Sequence, residues 1–379
     1  MAQQTNSVVK RVLIVGGGVG GISTAIALRQ IGVAAEIIDI NPEWGALGAG
    51  ITITGPTLRA FKAIGVYDDV VAKAYVGEGI QVCDVHGNPV RRLPTPMPEE
   101  AGVYSSGGIM RPTLHAILAG HCASLGVGVR TGLTIDALDQ DADGVNVVFS
   151  DGGTGRYDMV VGADGLNSRV RHLIFPGKVE PEYTGQMAWR VTVARPAEVE
   201  RRTYFLGGPH KVGLTPVSDS EMYMFLLERS PKLIRDEREL PPLLATLMEE
   251  YDAPVLRSIR DGLTPDTYVN YRPLEGFRLE APWHLGRVVL VGDSAHPTTP
   301  QLASGAGIAV EDGLVLALEL AKGLPLDETL DLYTLRREAR CRLVVDSSVA
   351  LGRLEQERGP VEQQTAIVEH ALAKLAEPV

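Results

Sequence analysis

Gly16, Gly18 and Gly21 in "VGGGVGG" have a Gly-x-Gly-x-x-Gly spacing. The first glycine turns the chain, the second leaves room for a pyrophosphate, and the third packs helix on strand. Asp39 lies roughly 20 residues further on, where an acid would hydrogen-bond a ribose hydroxyl. The chemistry of that combination is dinucleotide binding. A second glycine-rich loop, "GDSAHPTTPQLASGAG", spans 292–307 and carries Asp293, His296 and Pro300. It runs into Gly305, Ala306 and Gly307, where a helix start would present free N–H groups to an anion or polar ring. Between the two loops lie Trp189, Arg190, His210, Lys211, Thr215 and Tyr223.

The elements that must position these residues follow from periodicity. "RVLIV" at 11–15 is a short apolar run of the kind covered on both faces in a parallel sheet. A helix over "ISTAIALRQIG" and a strand over "AAEIIDI" complete a βαβ unit. "RPTLHAILAGHCASLGV" at 111–127 reads as a helix, with Leu114, Ile117, Leu118, Cys122 and Leu125 on one face. A β-meander precedes "YDMVVGADG". From about 183 the chain alternates polar and apolar residues without intervening helices, which predicts an antiparallel sheet. After 327 it is helical to the end. The expected fold is α/β: a Rossmann-like cofactor domain (1–180 and 272–379, the latter with C-terminal helices) interrupted by an antiparallel β-sheet substrate domain at 181–271.

Period 2 along "HKVGLTPVSDSEMYMF" lets one face present Lys211, Gly213 and Thr215 together with Tyr223 and Phe225 of the next strand. Lys211 and Tyr223 are therefore the candidate proton-handling pair, with His296 as a further base. Trp189, Arg190, His210, Thr215 and Pro300 are the candidate substrate contacts. No Ser-His-Asp or metal-ligand spacing occurs, so no metal is expected. The histidines at 86, 115, 121, 172 and 284 show no partner pattern and read as structural.

Three motifs in order, "GGGVGG" at 16–21, "VVGADGLNSRVR" at 160–171 and "VVLVGDSAHPTTPQLASGAG" at 288–307, resemble the group A flavin-dependent aromatic hydroxylases. The resemblance covers about residues 10–350 and implies that both cradles hold one FAD. It implies that Asp39 takes the adenosine ribose and Asp293 the ribitol. The helix at Gly305 would face the flavin's pyrimidine edge. Arg111 would lie near the flavin, and Asp164 would take part in FAD and NAD(P)H handling. "DINPEW" departs from the arginine that many relatives carry after the ribose acid, and Ala309 from a polar residue. The activity implied is NAD(P)H-dependent hydroxylation of a small hydroxylated aromatic or N-heterocyclic acid by O2, through a flavin C4a-hydroperoxide. A dehydrogenase or reductase of the same fold is the alternative, and an idle flavin-binding scaffold a third class.

Composition narrows the partners. A net charge of −11 argues against nucleic acid or anionic membrane. No apolar run approaches the roughly 18 residues needed to span a bilayer. "MAQQTNSVVKR" lacks the pattern of a secretory leader. Three cysteines without CxxC pairing suit a reducing compartment, so a cytoplasmic monomer or homodimer is expected.

Overall fold

The computed structural model describes residues 7–45 and 48–379. Residues 1–6 of the segment read as lacking a leader lie outside that set. Val12, Leu13 and Ile14 are fully buried because strand Arg11–Val15 has parallel neighbours on both edges, Ala34–Asp39 and Met159–Gly162. The six-stranded sheet runs His284–Leu285, Val288–Leu290, Met159–Gly162, Arg11–Val15, Ala34–Asp39, Gly128–Thr131. Only its first pair is antiparallel. Helices Val19–Gln30 and Gly305–Leu320 pack against each other. Among the described residues no helix is long and apolar enough to cross a membrane.

The second sheet has seven strands, not all of them from 181–271. Its order is Asn270–Gly276, Glu182–Ala194, Glu221–Arg229, Lys211–Pro216, Arg202–Phe205, Ile80–Cys83, Pro89–Leu93. The last two strands come from the stretch expected to belong to the cofactor domain alone. They join through a parallel pairing of Ile80–Cys83 with Arg202–Phe205, a long-range contact without local sequence signal.

Period-2 alternation gives this sheet two unlike faces. Trp189, Val191, Val212, Leu214, Met224 and Leu226 form an apolar core with Leu240, Leu244, Leu256 and Ile259 of helices Leu240–Leu247 and Pro254–Asp261. The opposite face carries Lys211, Gly213 and Thr215, paired with Leu227, Phe225 and Tyr223 respectively, and Arg190 beside Phe225. That second face meets a three-stranded sheet in which Ser106–Met110 lies between Gly50–Thr54 and Tyr75–Gly77. Gly108 permits the approach, since a Cβ there would lie 2.6 Å from Thr215 Cγ2. Helix Leu326–Gln356 runs behind the 292–304 loop and contacts both it and strand Glu182–Ala194.

Candidate active site

The first cradle is built as its glycines require. Gly16 has φ +107°, and a Cβ on it would run into the carbonyl of Ala163. A Cβ on Gly21 would overlap the Gly16 carbonyl, so the helix start sits directly on the turn. Gly18 differs: a Cβ there would meet nothing within 4 Å, because its open side faces the cleft. Asp39 accepts from Gly17 N at 2.6 Å and Asn41 N at 2.7 Å. Each oxygen keeps a further lone pair for a ribose hydroxyl. Gly17, Gly18, Asp39, Trp44, Arg111 and His115 line a pocket of about 160 Å³ here. Trp44 and His115 were not among the expected site residues. Trp44 donates from Nε1 to the Gly17 carbonyl at 3.2 Å and stacks edge-on against His115.

Arg111, which lines the first pocket, is near enough to the second cradle to act on Asp293. Asp293 is exposed and makes no hydrogen bond or ion pair among the described residues. Crowding by protein raises its carboxyl above the usual range, and His296 and Arg111 pull it back. No side chain caps helix Gly305–Leu320, so the N–H groups of Gly305, Ala306 and Gly307 remain free of a cap. A Cβ on Gly305 would lie 2.9 Å from Thr298, and one on Gly307 would strike Thr57.

Asp164 does not face that cleft as a free acid. Its carboxylate accepts from Ser168 Oγ at 2.5 Å, Val170 N at 3.0 Å and Ser294 Oγ at 3.2 Å. Ser294 Oγ in turn accepts from Gly165 N. Asp164 thus ties the 163–170 loop to the 292–304 loop. Burial raises its carboxyl, against the pull of those hydrogen bonds.

His296 is turned into the core. It is 1% exposed, stacks on Trp283, and places Nε2 2.7 Å from Asp312 Oδ2. Asp312 also accepts from Gly292 N at 2.8 Å and from Arg337 Nε at 2.7 Å. Burial opposes charge on His296, yet Cys341 and Asp312 outweigh it and hold the imidazole well above its ordinary value. His296, Asp312 and Cys341 lie within 4.8 Å of one another. The Arg337 guanidinium fills that cluster with a charge, so it reads as an ion-pair network.

On the sheet face the expected pair shares a side but not a partner. Tyr223 OH lies 2.9 Å from Thr52 Oγ1. Lys211 Nζ lies 2.8 Å from Glu355 Oε1, with both side chains almost wholly withdrawn from solvent. Phe225 leans over Gly213 between them. Burial favours neutral Lys211, but Glu355 outweighs it and keeps the ammonium. Glu355 thus holds Lys211 as a cation. Arg190 is half-buried and has no hydrogen bond or ion pair among the described residues. Burial, then the nearby Arg111, lowers its guanidinium to about 10. Thr215 Oγ1 is buried without a partner. Pro300 opens the short turn Pro300–Leu302 before the late helix.

Two expected substrate contacts lie elsewhere. Trp189 is fully buried on the opposite face, stacked on Tyr271 and donating to Glu228. Neighbours in a strand point to opposite faces, so Trp189 and Arg190 cannot both reach the cleft. His210 sits at the hairpin end, where its backbone exchanges hydrogen bonds with the Tyr251 hydroxyl.

The family described as FAD binding domain matches residues 10–348. The fold and the two cradles thus define an FAD-binding protein. The chain is similar to the "Putative FAD-dependent monooxygenase YetM" of Bacillus subtilis, at 29% identity over 93% of this chain and 96% of the relative. It is similar to the "2-heptyl-3-hydroxy-4(1H)-quinolone synthase" of Pseudomonas aeruginosa, at 32% identity over 92% and 90%. Its fold matches the crystal structure of Klebsiella pneumoniae HpxO complexed with FAD and uric acid, with a TM-score of 0.83 and 24% identity over 98% and 93%. The chain belongs to the group A FAD-dependent aromatic hydroxylases, a family of FAD-dependent monooxygenases. FAD fits the residues present: Gly18 leaves open space, Asp293 is an unpartnered acid, and the late helix is uncapped.

Proposed function

We propose that this monooxygenase uses NAD(P)H to hydroxylate a small hydroxylated aromatic or N-heterocyclic acid. The observation that carries this reading is Arg190, a half-buried guanidinium with no anionic partner, on the cleft face and close to Arg111. Arg190 faces a second cation, Arg111, and has no carboxylate of its own among the described residues, an arrangement that favours an anionic ligand beside it. Arg190 would hold a carboxylate or ring oxyanion and so favour the ionised, electron-rich form of a phenol. Tyr223 and Thr52 form a hydroxyl pair able to pass a proton or orient a ring oxygen. Ala49, Val217, Met110 and Phe225 around Tyr223 supply apolar walls that exclude water. Bound FAD supplies the activation of O2. Gly16, Gly18, Gly21 and Asp39 would hold its dinucleotide half. Asp293, Arg111 and the helix start at Gly305–Gly307 would hold its flavin half.

The test is a panel of salicylate, 3-hydroxybenzoate, 4-hydroxybenzoate, 6-hydroxynicotinate, a 4-quinolone and urate. NADH and NADPH oxidation is followed together with hydroxylated product and hydrogen peroxide. The expected result is slow basal oxidation, strongly stimulated by a panel member that appears as hydroxylated product. Flavin reduction by the organic substrate without NAD(P)H would instead place the chain with the dehydrogenases.

A further inference from the structure

One carboxylate, far from the cofactor loops in sequence, joins the sheet face to the loop beside the late helix. Glu355, in helix Leu326–Gln356, accepts from Lys211 Nζ at 2.8 Å, from Gln301 Nε2 at 3.2 Å and from Gln186 Nε2 at 3.4 Å. Gln301 Nε2 also donates to Gln186 Oε1 at 3.0 Å. Gln301 directly follows Pro300, in the turn that leads through Ala303 (φ +53°) to Gly305. Gln186 and Gln301 form part of the wall of a 640 Å³ cavity between the sheet end and this helix. Lys211 does not line that cavity; it lies on the other side of the same network.

Two physical points follow. A buried ammonium is strongly disfavoured without its carboxylate, so Glu355 is what permits a cation at Lys211. Glu355 takes one of the three ammonium donors of Lys211, and the Tyr204 ring lies over the same ammonium, 4.8 Å from ring centroid to Nζ. The same helix also grips the 292–304 loop one segment earlier, through Arg337, Asp312 and His296. The loop is thus held from behind at two places.

We propose that Glu355 is a positioning residue for hydroxylation: it fixes the Lys211 ammonium on the substrate face and locks Gln301, so that face and flavin-side loop keep one spacing. The inference rests on the reading of the Lys211 face as the substrate face.

The test compares Lys211→Met, Glu355→Gln and the double variant as FAD-loaded enzymes. FAD content, flavin-spectrum titration with salicylate, and product formed per NAD(P)H with the best panel substrate are measured. Both single variants should keep FAD, shift the salicylate titration and lower coupled turnover by roughly 10- to 100-fold, as expected for misplacement at a reacting centre. The double should fall short of the summed losses of the two singles, because Glu355 acts on coupling partly through Lys211, and any loss beyond Lys211→Met reports its hold on Gln301. Wild-type coupling and titration in Glu355→Gln, with loss in Lys211→Met, would overturn the inference and leave the substrate face standing. Full coupling in both singles would remove the substrate face and the inference together. If Glu355→Gln does not accumulate with FAD, Lys211→Met/Glu355→Leu decides, since it leaves no buried charge. Recovered FAD content with the product ratio of Lys211→Met supports the proposal. No recovery means that the carboxylate serves only the fold.

Discussion

His296 and Asp312 meet at 2.7 Å inside the core, joined by Arg337 on the other carboxylate oxygen. The histidine in "SAHP" therefore anchors the cofactor loop to the late helix. His296→Asn should destabilise the folded protein by about 3–5 kcal/mol, because it breaks a buried pair. His296 is raised in the fold, so its contribution is complete below the ordinary value of 6.5 and fades as pH climbs through the raised one. Asp312 is depressed, so its contribution persists down to the acid side of the usual carboxylate range. Thermal unfolding against pH should show wild type losing its advantage over His296→Asn in alkali. An unchanged melting temperature with a lost limb in the pH–rate profile would mark His296 as a base instead.

Gly18→Leu and Gly21→Leu should fail differently. The leucine at 18 points into open space, so the apoprotein should fold with its melting temperature nearly unchanged yet bind little FAD. The leucine at 21 collides with the Gly16 carbonyl, so that variant should lose both fold stability and flavin. Circular dichroism melts beside flavin absorbance separate the two. Full FAD in Gly18→Leu would refute the cradle.

Asp293→Ala should weaken FAD binding by roughly 10- to 150-fold, the equivalent of a charge-assisted hydrogen bond of about 1.5–3 kcal/mol. Asp293 makes no hydrogen bond within the described protein, so apoprotein stability should not fall. Apoprotein titration with FAD measures the first quantity, and an apoprotein melt the second. A melt lowered without loss of FAD affinity would assign Asp293 to capping the chain.

Arg190→Gln should raise the dissociation constant of an acidic substrate by roughly 10- to 100-fold while leaving FAD content intact. Its guanidinium, lowered to about 10, is still charged at neutral pH, so wild-type affinity should weaken only as pH approaches that value. Flavin-spectrum titration at several pH values reads this. Equal affinity in the variant for charged and uncharged panel members, with wild type equally indifferent, would remove Arg190 from recognition.

The parts legible in the sequence were those encoded at short range. The Gly16–Gly18–Gly21 spacing, the helix at 111–124 and the shared face of Lys211 and Tyr223 each follow from local periods. Register decides the rest. Trp189 and Arg190 are adjacent, and the same period-2 rule that joined Lys211 to Tyr223 separates them. Glu355 stands 144 residues from Lys211, and nothing near either residue announces the other. The pairing of 80–83 with 202–205 is equally non-local. Polar roles inside the core, such as those of His296 and Asp164, depend on which donors happen to converge, which no spacing records.

The recruitment of Ile80–Cys83 and Pro89–Leu93 into the large sheet bears on how the chain is made. Their partner strand, Arg202–Phe205, leaves the ribosome more than 100 residues later. At ordinary synthesis speeds that is a delay on the order of ten seconds. During it the apolar strand Ile80–Cys83 exists as half of a hairpin with one open edge. Pro89, Arg91 and Arg92 guard the other side of that hairpin, where a proline and charges discourage pairing with a stray strand. Translation should therefore be most vulnerable to aggregation in that interval, and a nascent chain arrested between 93 and 202 should depend on chaperones more than one released after 230.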